Sequence, residues 1–181
     1  MANEKRMDSV ILGFLSHEPM TGYEIKKNID STLHFFWSGS FGSIYPTLSA
    51  LEKNGYVTKQ DVSGNKREKY KYFITQTGKD FLTDWLSDPS AKDELRYETL
   101  LKLFFSGSLG KEKTAQRIDA FEAKIRAELP FLEMCEANLA KAGDNPDHIN
   151  YLLTVRFGIE TYKGYLRWCE GAKKLLLFPF Q

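Results

Sequence analysis

Near Gly55 the spacing of apolar residues changes from a helical period to a period of two, and near Thr75 it changes back. Between those points Tyr56-Val57-Thr58-Lys59-Gln60 alternates as a strand, and Ser63-Gly64-Asn65-Lys66 has the composition of a turn. Arg67 to Ile74 alternates again, with Tyr70, Tyr72 and Ile74 on one face and Arg67, Lys69 and Lys71 on the other. The pattern predicts a hairpin with one buried and one basic face. Helical patterns on both sides limit this half to a small helical unit that carries a hairpin.

Three helices precede the hairpin. The first is predicted from Met7 to Ser16, with Val10, Ile11, Phe14 and Leu15 on its apolar stripe. Thr21-Gly22-Tyr23-Glu24 has the T-x-x-E capping-box form, so the second starts near Gly22 and carries Ile25 and Ile29 one turn apart. An apolar knot, His34-Phe35-Phe36-Trp37, then runs into Ser38-Gly39-Ser40, a turn. Ile44, Leu48 and Leu51 define the third helix, which Asn54-Gly55 stops. Pro46 is tolerated only in a first turn, so this helix starts near Gly42 or is distorted there. After the hairpin a fourth helix is expected to start near Thr77, with Asp80 as the capping partner of Thr77, and to bury Phe81, Leu82, Trp85 and Leu86.

Ser87-Asp88-Pro89-Ser90 has linker composition, and the chain beyond it is helical. The expected organisation is an N-terminal domain over 1–86, a linker over 87–92 and a helical domain over 93–181. Helix five is predicted from Asp93 to Phe105, helix six from Lys111 to Ala142 and helix seven from an Asn145-Pro146 start to Lys174. In helix six Ile118, Ile125, Leu132 and Leu139 repeat every seven residues with Phe121 and Cys135 at the second seam position, while Glu128 interrupts that series. Such a seam serves a dimer or packing inside one subunit. Ile118, Phe121, Ile125, Leu132, Leu139, Leu152 and Ile159 are the residues assigned to dimerisation. The apolar tail from Leu175 to Phe180 is expected to pack on a partner subunit.

Composition removes several function classes. The 181 residues hold 25 Lys+Arg against 24 Asp+Glu, so net charge points to no partner by itself. Locally the picture differs: residues 53–79 hold seven cations and two carboxylates. Cys135 and Cys169 form no disulfide framework, which fits a reducing compartment. No apolar run approaches the roughly 20 residues of a membrane span. The expectation is a soluble cytoplasmic protein. Ser108-Leu109-Gly110-Lys111 falls short of a phosphate loop, and His17, His34 and His148 are scattered. No catalytic or metal-binding residue is assigned, and no cofactor is expected.

Helix–helix–helix–hairpin–helix with a basic hairpin describes a winged helix-turn-helix. The third helix would enter the major groove through Ser43, Thr47, Ser49 and Lys53, with Tyr45 near its start. Lys66, Arg67 and Lys69 on the hairpin would reach phosphates or the minor groove, and Ser38 and Ser40 would let backbone approach phosphate. Thr21 and Tyr23, at the start of the second helix, complete the assigned DNA face. That helix three has no arginine predicts modest base readout and much dependence on phosphate charge and DNA shape. A protein-interaction module is the competing use of such a domain.

The residues Met20-Thr21-Gly22-Tyr23-Glu24-Ile25, Ile44-Tyr45-Pro46-Thr47-Leu48, Leu51-Glu52-Lys53-Asn54-Gly55-Tyr56-Val57 and Thr75-Gln76-Thr77-Gly78 resemble the PadR family of bacterial transcriptional regulators. The match covers about residues 7–86, and the second half is similar by pattern to the larger PadR subgroup. The resemblance implies a mainly helical fold with a small β-hairpin wing and a helical C-terminal dimerisation domain. It implies a homodimer on double-stranded DNA with a pseudo-palindromic operator, acting as a repressor of neighbouring genes; some members activate instead. A small aromatic effector is implied for some members. Phe36, Trp37, Arg96, Tyr97, Phe104, Tyr165 and Trp168 are the residues assigned to it, with Arg156 as a second charge for an aromatic carboxylate.

Overall fold

The computed structural model describes residues 2–37, 41–63, 69–91, 93, 96–141, 143 and 145–177. The chain divides into two compact units, Met1–Asp93 and Glu94–Gln181. The first unit runs α1 (Ala2–His17), β1 (Met20–Thr21), α2 (Gly22–Asn28), α3 (Ile44–Lys53), β2 (Val57–Asp61), β3 (Tyr70–Ile74) and α4 (Gln76–Ser87). A π-helical turn of five residues, Ile29–Leu33, prolongs α2, and a 3-10 turn, Phe41–Ser43, leads into α3. The helix α1 starts earlier than Met7, because Ala2, Glu4, Lys5 and Arg6 are good helix formers and Met7 is already buried.

The sheet is antiparallel with order β1-β3-β2. Val57 pairs with Ile74 and Asp61 with Tyr70, while on the other side of β3 Thr21 pairs with Lys71. This third strand is absent from the sequence reading, since two residues show no period. The core is built from Ile11, Leu12, Ile25, Leu48, Leu51 and Val57, each at most 1% exposed. Each such side chain contributes on the order of 2 kcal/mol by burial. Tyr72 joins them from the apolar face of β3, and Leu82 from α4.

The start of α4 differs from expectation. Its cap is Thr75, not Thr77: the Thr75 hydroxyl accepts from the Gly78 N–H at 3.1 Å and donates to the Gly55 carbonyl at 2.7 Å. Asp80 accepts instead from Gln76 Nε2 at 2.8 Å. Only Phe81 and Leu82 of the four expected residues pack inward. Trp85 and Leu86 are 44% and 67% exposed, because the last turns of α4 run past the core.

The second unit holds α5 (Glu98–Phe104), a 3-10 turn (Gly107–Leu109), α6 (Gly110–Leu139) and α7 (Pro146–Leu177). The helix α5 starts after an extended Tyr97, later than the expected Asp93. Arg117 of α6 donates to the Lys102 carbonyl at 3.1 Å and to the Ser106 hydroxyl, which ties the end of α5 to α6. The α-helical backbone of α6 continues through Pro130.

Helices α6 and α7 form a hairpin with a seven-residue repeat on both strands. Ile118, Ile125 and Leu132 of α6 and Val155, Ile159, Tyr162 and Cys169 of α7 are buried. Glu128, which interrupts the α6 seam, accepts the Tyr162 hydroxyl at 2.5 Å. Arg156 pairs with Glu136 at 2.8 Å, and Lys173 bridges Asp119 and Glu122. The dimer assignment is therefore corrected for Ile118, Ile125, Leu132 and Ile159. They are 1–3% exposed within one chain and have no surface left for a partner. Phe121, Leu139 and Leu152 are half-buried.

Candidate nucleic-acid interface

The helix α3 buries Ile44, Leu48 and Leu51, which turns Tyr45, Ser49 and Lys53 outward, with Ser43 and Thr47 half-buried beside them. Pro46 is its third residue, within the turn whose amides lack helical partners. The other end closes as a Schellman motif. Gly55, at φ +75°, donates to the Glu52 carbonyl at 3.0 Å, and Tyr56 donates to Leu51 at 2.9 Å. That turn delivers the chain into β2 and sets the wing beside α3.

Tyr45 is 60% exposed, and its ring lies against Gly22 at the start of α2. A methyl group on Gly22 would come within 2.7 Å of Tyr45 Cε1. Tyr23 is exposed on the next position. Thr21 is different: it is 5% exposed and spent in the capping box. Its amide donates to Glu24 Oε2 at 2.7 Å, and its hydroxyl accepts from the Glu24 amide at 3.3 Å. Burial in β1 and the cap removes the Thr21 side chain from the DNA-facing set. The Thr21 amide and hydroxyl hold the Glu24 carboxyl below the usual glutamate range, helped by Lys69 and Lys71.

In the wing Val62 donates to the Lys69 carbonyl at 2.8 Å, and the Lys69 amide donates to the Ser63 hydroxyl at 2.8 Å. Asp61 accepts from the Ser63 amide at 2.7 Å, and the Ser63 hydroxyl and then this amide lower its carboxyl pKa. Lys69 is exposed on this rim. Lys59 carries a role that sequence reasoning missed. Its ammonium pairs with Glu52 of α3 at 3.1 Å and sits 5.1 Å from the centre of the Tyr70 ring, so it ties the wing to α3. Glu52 accordingly raises the Lys59 pKa. No local pattern marks that pair, since its partners lie on different elements. Ser38, Ser40, Lys66 and Arg67 lie outside the described residues.

The residues assigned to an effector fall in both units. In the second, the Tyr97 and Tyr165 hydroxyls touch, and their rings meet edge-on at 5.6 Å. Phe121 packs between Tyr165 and Trp168, at 5.7 and 6.1 Å. Burial pushes the Tyr162 and Tyr165 hydroxyls well above the ordinary tyrosine range. Phe104 stands apart at 82% exposure, and Arg96 is exposed. Arg156 is occupied by Glu136. In the first unit Phe36 is 49% exposed, and Trp37 lies under the Arg6 guanidinium at 5.8 Å. The Trp37 indole N–H is buried without a hydrogen-bond partner. Among the described residues no cluster of His, Cys, Asp and Glu could hold a metal, and no helix is long and apolar enough to cross a membrane.

A helix presenting hydroxyls and a lysine, braced beside a basic hairpin, makes the first unit the winged helix-turn-helix of a DNA-binding transcriptional regulator. Residues 11–84 match the transcriptional regulator PadR-like family, and residues 95–176 match the family described as virulence activator alpha C-term. The chain belongs to the PadR-like family of transcriptional regulators. It is 29% identical over 168 residues to the negative transcriptional regulator PadR of Bacillus subtilis, covering 89% of this chain and 92% of that one. The structure of Bacillus subtilis PadR in complex with operator DNA superposes with a TM-score of 0.79 at 30% identity, covering 93% of this chain and 98% of that one. The same regulator in complex with p-coumaric acid superposes with a TM-score of 0.73 at 27% identity, covering 94% and 98%.

Proposed function

We propose that this regulator is a homodimeric cytoplasmic repressor that reads an inverted-repeat operator and is released by a small phenolic acid. Residues 1–86 serve as the DNA reader, 87–92 as linker, and 93–181 as the dimerisation and effector domain. The observation that carries the reading is the outward face of α3, where Tyr45, Ser49 and Lys53 are exposed, together with an exposed Lys69 on the wing. These groups suit phosphate and base-edge contacts more than a guanine-specific code, so shape and phosphate charge carry much of the affinity. A dimeric reader spaces its two recognition helices about 34–36 Å apart, one turn of DNA.

Release by an effector rests on the aromatic cluster of Tyr97, Phe121, Tyr165 and Trp168 within the second unit. The p-coumaric acid bound by the Bacillus subtilis relative supports a phenolic acid as its class. A ligand shifts the protein between two geometries only by its differential affinity for them. Activation is the second reading, favoured by the match of residues 95–176 to a family named for a virulence activator.

The test is a random-duplex selection on the full chain across a salt titration, beside Lys53→Glu/Lys69→Glu. Enrichment of an inverted repeat is expected. The variant should bind more weakly, with a salt slope shallower by roughly 0.9 for each phosphate it no longer neutralises. Addition of p-coumaric acid should lower the anisotropy of the labelled duplex, and a promoter fusion separates repression from activation. Failure to enrich any duplex at low salt, by a folded dimer, would overturn the DNA reading.

A further inference from the structure

Lys59 counts among the cations of the basic segment, yet it lies on the opposite side of the wing from Lys71. In β2 it shares a side with the buried Val57, and across the sheet it pairs with the buried Tyr72. That side of the wing is the one turned toward α3. The Lys59 ammonium is 3.1 Å from the Glu52 carboxylate and 5.1 Å from the centre of the Tyr70 ring, so its charge is already engaged by a carboxylate and an aromatic face.

Glu52 is equally out of place. It is the only carboxylate in Ile44–Lys53. It follows Tyr45 by seven residues and Ser49 by three, so it continues the outward stripe of α3. It also falls in the last turn, where the helix dipole disfavours negative charge. A carboxylate there opposes both the helix end and any phosphate nearby. The pairing adds little stability either: the Glu52 and Lys59 side chains are 35% and 41% exposed, and ion pairs so exposed contribute little.

We infer that Glu52 and Lys59 are positioning residues that set the wing against the recognition helix, and that they serve discrimination between duplexes rather than affinity. Glu52 draws the middle of β2 onto the last turn of α3, and Lys59 neutralises Glu52 before the phosphates meet it. Lys69 then reaches its phosphate at a fixed offset from the bases facing Tyr45 and Ser49. A duplex whose groove and backbone do not match that offset loses one contact or the other. A wing free to move would settle on any backbone. The inference rests on the DNA reading proposed above, and it removes Lys59 from the cations that neutralise phosphate.

The test compares wild type, Glu52→Gln, Lys59→Gln and the exchange Glu52→Lys/Lys59→Glu on two labelled duplexes. One is the duplex enriched by the wild-type chain, the other a scrambled sequence of the same composition. Each single variant should lower the ratio of the two affinities by about fivefold, the upper end of what an exposed pair contributes, and the exchange should restore most of it. The salt slope separates positioning from direct contact. Lys59→Gln should keep the wild-type slope, whereas Glu52→Gln should steepen it by about 0.9 for each lysine freed to meet a phosphate. Melting temperatures should stay within about 5 °C of wild type. A Lys59→Gln slope shallower by about 0.9 for each lysine lost would make Lys59 a phosphate ligand and overturn the inference. Single variants that keep the wild-type ratio overturn it too, as does an exchange no better than they are. A wild-type chain that prefers no duplex overturns the DNA reading itself.

Discussion

Two glycine-to-alanine substitutions in the first unit should move stability in opposite directions. Gly78 lies in the first turn of α4, which rests on the β2 entrance. A methyl group there would land on the Tyr56 carbonyl oxygen and come within 2.9 Å of Ile74 Cγ1. The backbone carbonyl has no room to swing, since Tyr56 also accepts the Thr75 amide at 3.0 Å. The turn must therefore lift, which costs about 1–3 kcal/mol for overpacking. Lifting also strains the Thr75 cap, worth about 1 kcal/mol. The helix gains back about 1 kcal/mol from alanine propensity, so Gly78→Ala should lose roughly 2 kcal/mol net. Gly13, in α1, has no neighbour within 4 Å of an added Cβ. Gly13→Ala should gain up to about 1 kcal/mol. Urea unfolding of the full chain followed by far-UV circular dichroism reads both. With a slope of about 2 kcal/mol/M, the first midpoint falls by about 1 M and the second rises by up to about 0.5 M. A Gly78→Ala chain with an unchanged midpoint would refute the argument that α4 is seated on Tyr56.

Three further outcomes follow from contacts described above. The Glu24 carboxyl is depressed in the folded state, so its stabilisation is present above the usual glutamate value of about 4.3 and is lost as pH falls through its lower folded value. The stability gap between wild type and Glu24→Gln should accordingly be full at neutral pH and close in acid; a gap that widens in acid contradicts the capping box as its source. Gly22→Ala should displace the Tyr45 ring, leaving stability within about 1 kcal/mol while duplex affinity drops on the order of tenfold. Unchanged anisotropy titrations would remove Tyr45 from the interface. Tyr162→Phe deprives Glu128 of its hydroxyl donor and should cost about 1–2 kcal/mol, moderated because the Glu128 side chain is 30% exposed. A thermal melt that does not fall would show that water replaces the phenol.

What was legible in the chain was mostly local. The capping box at Thr21 and Glu24, the Asn54-Gly55 stop and the two alternating strands each depend on neighbours a few residues away, and each formed. The cap of α4 was misplaced because Thr75 and Thr77 are equivalent locally; the Gly55 carbonyl, twenty residues earlier, decides between them. Thr21 was given to DNA because a strand of two residues leaves no trace in periodicity, yet β1 is what buries it. The α6 repeat looks the same whether it meets α7 or another chain. Only the matching repeat at Val155, Tyr162 and Cys169, with Tyr162 answering Glu128, assigns it within the subunit.

The π-helical turn at Ile29–Leu33 is a matter of counting rather than of chemistry. Its bonds span five residues where an α-helix spans four, so the stretch holds one more residue than the helix it continues. Each residue of an α-helix advances its neighbour by about 100°, so the bearing of everything after Leu33 depends on that surplus residue. Substitutions at Asp30, Ser31 or Thr32 leave the bearing alone. Deleting any one of them lets the helix relax to its ordinary pitch and nearly keeps the bearing, since the five residues of the wide turn sweep about the angle of four in an α-helix. Tightening all five to α-helical pitch would instead swing the His34 to Trp37 ridge by about a quarter turn, carrying the Trp37 ring out from under Arg6.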